Sequence, residues 1–335
     1  MKRIRQFSAF TLLALLLICI HCIPVAAASV NVAPNMRISS REAASLVSAP
    51  PDVIVSGRIP QAVGTPGASL QKDINNAIGD IIHAEVKNIS SSTVEIYFEY
   101  NTVTDGDTVS LLIRTTLTAA SSQNKVASVN YNTASGKLIK ITDTDILGPN
   151  AVKLVNKAIS ADMKAHPEKY NATFSGIGES QDFSYQKGLL TLLFNEYEIA
   201  PGSEGIVSFD MSLDNVRHCY VPKRDYDTEL SSKYSFKMVQ LSQVVAEFGY
   251  KLDWIPETKE IFVRRADSEA ISLQLGKNEY TKGISAAARS LEAAPQIGKD
   301  DRTYVPISFF EEILGLSYSV DAQGRITFSE YIAPK

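Results

Sequence analysis

The residues able to do proton or metal chemistry are few and scattered. Past residue 28 the histidines are His83, His166 and His218, and no two stand three to five residues apart. Zinc sites draw ligands from such short spacings, so no metal centre is expected. His218 and Cys219 are adjacent, which is poor chelating geometry, and Cys219 reads as a buried, inert thiol. Asp105/Asp107 and Asp143/Asp145 are carboxylates two residues apart. A calcium loop would continue with more oxygen ligands and a terminal bidentate glutamate, and neither does. The first pair reads as a hairpin turn around Gly106, the second as residues preceding a helix that begins near Pro149. No Gly-x-Ser-x-Gly run offers a nucleophile elbow. Tyr197-Glu198 remains, with two readings open. It is a binding or catalytic pair at a strand end, or it is a turn in which Tyr197 packs and Glu198 caps a backbone amide. No second acid stands at an identifiable distance, and glycoside hydrolysis needs two placed carboxylates. A non-enzymatic chain without a cofactor is therefore expected, with Tyr97, Tyr197 and Glu198 as its candidate binding residues.

The elements that would position these residues read as α+β. Leu70, Ile74, Ile78 and Ile81 fall at helical spacing behind Ser69, the expected N-cap. Val94, Ile96, Phe98 and Tyr100 alternate with Glu95, Tyr97 and Glu99, which puts Tyr97 on the wet face of a strand. An exposed tyrosine suits contact with a glycan or a protein. Val152, Val155, Ile159 and Met163 give a second helix one apolar stripe, ended at His166-Pro167. Strands then follow near 182–185, 188–194 and 205–211. The expected first module, 50–216, is an antiparallel sheet with two helices. It is preceded by a tether, 29–49, and followed by a charged linker, 217–236.

The last hundred residues repeat themselves. Val239 to Trp254 runs parallel to Val305 to Val320 at an offset of 66, and Ile261 and Val263 match Ile326 and Phe328 after a one-residue slip. Each copy reads strand, short helix, glycine, strand, turn, strand, so 237–332 is one small duplicated module. Trp254 aligns with Val320 and reads as core rather than as a sugar-stacking platform. From 237 to 335 there is no His and no Cys.

The first 28 residues read as a signal peptide: Lys2, Arg3 and Arg5, an apolar run over 12–20, Pro24, then Ala26-Ala27-Ala28. Cys19 and Cys22 follow Ile18 and His21, where a lipid-anchoring signal has a small residue. Without the leader, 30 basic residues face 37 acidic ones, a formal charge of −7. That disfavours nucleic acid, whose binding rests on cationic contacts. No later stretch is apolar over the roughly 20 residues that span a bilayer, so no membrane insertion is expected after cleavage. The expected location is outside the cell, associated with the envelope.

Two stretches carry resemblances. Phe194-Asn195-Glu196-Tyr197-Glu198-Ile199-Ala200-Pro201 is similar to the signature of a bacterial envelope domain of unknown function. That domain occurs in lysozyme-sensing anti-sigma factors and upstream of a peptidoglycan deacetylase catalytic domain; Glu196 replaces its usual proline. Gly249-Tyr250-Lys251-Leu252-Asp253-Trp254 and Arg302-Thr303-Tyr304-Val305-Pro306 resemble the domain named after the N-terminal domain of copper amine oxidase. That resemblance implies a small α+β module of secreted Gram-positive envelope proteins, with no copper site. Together they imply a secreted, non-catalytic cell-envelope protein that recognises peptidoglycan or another wall glycan. The alternative partner is a basic protein such as lysozyme, which the acidic chain would meet by complementary charge; a weaker alternative is an accessory to a wall deacetylase or hydrolase.

Overall fold

The computed structural model describes residues 30–33, 36–47, 49–64, 68–143, 147–171, 174–222, 233–283 and 287–332. The expected signal peptide with Cys19 and Cys22, residues 65–67, Asp145 and the charged run 223–232 lie outside the described residues.

A seven-stranded sheet opens the chain in sequence order: β1 (Val30–Ala33), β2 (Met36–Glu42), β3 (Ile54–Gly64), β4 (Glu95–Asp105), β5 (Thr108–Thr118), β6 (Ser122–Asn132) and β7 (Lys137–Leu138). Helix α1 (Ala68–Lys87) connects β3 to β4, the one parallel pair in this sheet. Its Leu70, Ile74, Ile78 and Ile82 are buried against Ile59, Ile96, Phe98, Val109, Leu111 and Ile113. Ser69 lies within the helix rather than ahead of it.

The stretch 29–49 is not a tether. β2 pairs with β3 over seven residues, and Ile38 and Ala43 are buried in the main core. Only Met36 and Ile38 mark β2 as a strand, too few for an alternation to be read.

β3 changes partner midway. Ile54 to Gly57 pair with β4, and Arg58 to Gly64 pair with β2. Gly57 is the pivot. Its φ is 86°, and a Cβ there would lie 2.0 Å from the Phe98 carbonyl oxygen. Gly57→Ala is therefore expected to cost about 3 kcal/mol or more, read as a lowered urea midpoint. A wild-type midpoint would show that the backbone yields there.

A second core follows. Helix α2 (Ala151–Ala165) packs Leu154, Val155 and Ile159 on a three-stranded sheet of β8 (Phe183–Gln186), β9 (Leu189–Phe194) and β10 (Val207–Ser212). This sheet is tied to β6 through Asp182, whose Oδ1 accepts from Ser128 N (2.6 Å) and Ser128 Oγ (2.9 Å).

The C-terminal module begins at β11 (Val216–Val221), so 217–236 is not all linker. β11 pairs along its whole length with the last strand, β20 (Ile326–Tyr331), and Cys219 and Val221 enter the C-terminal core. The repeat then unfolds as read. β12 (Met238–Gln240), α3 (Leu241–Glu247), β13 (Lys251–Ile255) and β14 (Glu260–Arg264) form the first half. After β15 (Ile271–Gln274), β16 (Tyr280–Lys282) and β17 (Gln296–Ile297) comes the second half. It consists of β18 (Thr303–Pro306), a π-helical turn (Phe309–Ile313), β19 (Ser317–Val320) and β20.

The halves are related by a pseudo-dyad. β12 pairs antiparallel with β18, placing Val239 opposite its own counterpart Val305. β15 lies on β14 as β11 lies on β20, so each half borrows a strand from ahead of the other. Arg265 and Glu330, equivalent across the repeat, form a two-bond ion pair at 2.7 and 2.9 Å.

The modules are joined by α2. Asn150 Nδ2 donates to Thr327 O (3.1 Å) and Ser329 Oγ (2.8 Å). Lys153 Nζ donates to Tyr318 O (2.7 Å), and Lys157 Nζ donates to Gly315 O and Leu316 O (both 3.0 Å). Lys157 thus meets carbonyls just past the end of the π-helical turn, the end that favours cations, and Lys153 reaches the strand that follows. Burial holds the Lys157 ammonium below the usual lysine range.

Candidate binding groove

β13 is the edge strand of the sheet β13-β14-β15-β16, and all five of its residues are exposed. Lys251, Asp253 and Ile255 take one face, where Asp253 pairs with Arg264 at 3.3 Å. Leu252 and Trp254 take the other, opposite Val263 and Ile261. On β14 and β15 that second face is closed by the core: Ile261, Val263, Ile271 and Leu273 are buried. At the edge the cover ends, and Trp254 stays 48% exposed.

The result is an open groove of about 920 Å³. Leu252, Trp254 and Pro256 form one wall and Pro295, Gln296 and Ile297 another, with Leu241 and Ile261 also lining it. Polar groups are set along it by two tight turns. Lys259 sits in the β13–β14 turn at φ 56°, and Asp301 in the β17–β18 turn at φ 57°; Arg302 follows. Asp300 fixes the second turn, accepting from Arg302 N (3.2 Å) and Tyr304 OH (2.8 Å). Gln296 Nε2 donates to Tyr234 OH at 2.5 Å. Non-glycine residues in the left-handed region are a strain that clusters at functional sites.

Trp254 was expected in the core, and that expectation fails for a physical reason. Its alignment with Val320 is right, but Val320 is itself 45% exposed, because both lie on edge strands. The available signal was the alternation Lys251-Leu252-Asp253-Trp254, closed by Pro256. The second half carries different residues at the equivalent positions. In the second half Leu252 becomes Tyr318, covered by Lys153 at 4.7 Å from its ring, and Ser242 becomes Ser308, buried and bonded to Glu292.

Among the described residues no group of three or more His, Cys, Asp and Glu is placed to hold a metal ion, and no helix is long and apolar enough to cross a membrane. His218 Nδ1 lies 2.8 Å from Ser329 Oγ, and burial holds its imidazole below the usual histidine range. Cys219 is buried with its thiol pushed up to about 11, so it stays protonated and unreactive.

Residues 144–214 match the model of a protein family of unknown function, DUF3298, and residues 227–328 match that of the copper amine oxidase N-terminal domain. The chain joins these two segments. No curated protein matches it. Two solved DUF3298 structures are similar to it. One, from Bacteroides fragilis, is 13% identical, covering 53% of this chain and 91% of its own, with a TM-score of 0.36. The other, from Pseudomonas aeruginosa, is 12% identical, covering 52% and 88%, with a TM-score of 0.35. The groove lies in the copper amine oxidase N-terminal segment, which contains no His and no Cys.

The DUF3298 segment holds Tyr197 and Glu198 in the loop after β9. Glu198 Oε2 accepts from Asn195 N at 2.8 Å, and Asn195 Oδ1 accepts from Val126 N on β6 at 2.7 Å. Glu196 Oε1 accepts from Asn124 Nδ2 at 2.9 Å. The loop therefore staples the small sheet to the large one, and Glu198 caps a backbone amide. Tyr197 is 66% exposed at φ 67°, its ring lying so close to Gly202 that a Cβ there would fall 2.1 Å from Cζ. Tyr97 is 43% exposed on the wet face of β4, opposite Thr116, which is in turn opposite Asn124. Two strand spacings, about 10 Å, thus separate Tyr97 from Asn124. The structure does not bring Tyr97 and Tyr197 together in one cleft, and neither lines the Trp254 groove.

Asp182, not singled out from the sequence, has its carboxyl pushed up to about 6, first by burial and then by the charge of Glu198, against the bonds from Ser128. The sign follows from proton uptake. Between about pH 4 and pH 6 the folded chain holds a proton that the unfolded chain has released, so stability falls as pH rises, by about 3 kcal/mol in all. Asp182→Asn is expected to remove that slope, seen by comparing urea midpoints of both proteins at pH 4.5 and 7. Equal slopes would mean that Asp182 ionises normally.

Proposed function

We propose that this is a secreted, non-catalytic cell-envelope protein that binds peptidoglycan or another wall glycan, and that the Trp254 groove is its binding site. Neither a DUF3298 segment nor a copper amine oxidase N-terminal domain is catalytic on its own. The observation that carries the reading is a half-exposed indole in an open groove among hydrogen-bonding groups: Gln296, Asp301, Arg302, Lys259 and Ser242. A pyranose presents an apolar C–H face that packs on an indole, and a ring of hydroxyls that needs donors and acceptors at the rim. The test is co-sedimentation of residues 29–335 with purified Gram-positive sacculi at low and high salt. Pelleting that persists in high salt is expected. No pelleting at either salt would sink the glycan reading and favour a protein partner instead.

A further inference from the structure

The groove is also charged in a way that singles out a ligand class. Arg302 and Lys259 have no ion-pair partner among the described residues, and they face one groove carboxylate, Asp301. This local excess of positive charge stands out in a chain with 33 basic and 37 acidic residues. Ser242, at the start of α3, accepts from Gln240 Nε2 at 3.0 Å, which leaves its own hydroxyl proton to donate into the groove.

The duplicated half shows what such a serine holds. Ser308 is the counterpart of Ser242 at the offset of 66, and its hydroxyl donates to the carboxylate of Glu292. Among the described residues no carboxylate bonds Ser242, so the chain's own acid fills in the second half a position that no described acid fills in the first. From the unpaired cations and this internal precedent we infer that the groove takes a carboxylate-bearing saccharide. A sugar ring stacks on Trp254, and its acid group is met by Arg302, Lys259 and the Ser242 hydroxyl. Charge-assisted bonds of this kind are stronger than those to neutral hydroxyls, so the acid group, more than the ring, sets the preference.

The inference rests on the glycan reading, and the experiment separates the two. Trp254 is the chain's single tryptophan, so intrinsic fluorescence reports the groove directly. Residues 29–335 are titrated with chitotetraose and with the tetrasaccharide of alternating N-acetylglucosamine and N-acetylmuramic acid, which adds lactyl carboxylates to the same backbone. The acidic tetrasaccharide is expected to bind at least fivefold more tightly. Arg302→Gln and Ser242→Ala are each expected to bring that ratio toward one, because each loses more affinity for the acidic tetrasaccharide than for chitotetraose. Equal affinity for both probes would overturn carboxylate recognition and leave glycan binding standing. A preference unchanged in both variants would place the acid group elsewhere and overturn the assignment to Arg302 and Ser242. No response to either probe would overturn the inference and remove the groove from the proposed function with it. Arg302 is exposed, so its variant folds whatever becomes of Ser242→Ala.

Discussion

Trp254→Ala is expected to lower affinity for sacculi at least tenfold while leaving thermal unfolding within a degree or two of wild type. The two halves of this expectation have different causes. Aromatic platforms at the centre of a binding site dominate its energy, and truncating one typically costs 2 kcal/mol or more; about 1.4 kcal/mol is already a factor of ten. The fold loses little, because the indole is nearly half exposed and lies on an edge strand where the core cover has ended. Trp254→Phe is expected to fall between the two, since a smaller ring keeps part of the stacking area. Pelleting is the readout, as the alanine variant carries no fluorophore. Tyr97→Ala run beside it distinguishes the modules. If the tyrosine variant failed to pellet and the tryptophan variant bound normally, recognition would belong to the wet face of the large sheet and not to the groove.

The sequence was most legible where signals were local. The period of α1, the alternation around Tyr97, the Asp105-Gly106-Asp107 hairpin and the element order of the repeat all stand as read, since each is set by residues a few positions apart. The reading of Glu198 as an amide cap also stands, because its partner Asn195 is three residues away. What failed was long-range or depended on where a sheet ends. β11 has no clear alternation of its own, and its membership in the C-terminal module is decided by Val216 to Val221 meeting Tyr331 to Ile326, over a hundred residues on. β2 is a strand because β3 lends it a ladder, not because of its own pattern. Trp254 illustrates the same limit at the site. Its face was readable from the alternation, but only the strand order makes β13 an edge, and only an edge leaves that face open. Asp182 was silent because a carboxylate's burial is written in its neighbours' positions, not in its own surroundings in the chain.

The ion pair at the pseudo-dyad carries the second large effect. Arg265 donates to both oxygens of Glu330, to Asp267 (2.6 Å) and to Phe248 O (3.2 Å), and its guanidinium lies 4.4 Å from the Tyr250 ring centroid. Glu330 holds the guanidinium well above the usual arginine range. Both side chains are largely buried, at 20% and 15% exposure. Arg265→Met is expected to cost about 3 kcal/mol, since it leaves a buried carboxylate without its counter-charge. Glu330→Met should cost less, because Arg265 keeps Asp267, the Phe248 carbonyl and the Tyr250 ring. In the double variant the desolvation of both ions disappears together, so most of the loss should return. Urea midpoints of the four proteins measure this, and strictly additive losses would show that the pair contributes no coupling across the dyad. The consequence reaches the groove through α3, which starts in it at Leu241 and Ser242 and leads into Phe248, whose carbonyl Arg265 holds. A pair that locks the two halves together therefore also fixes the helix that leads into β13.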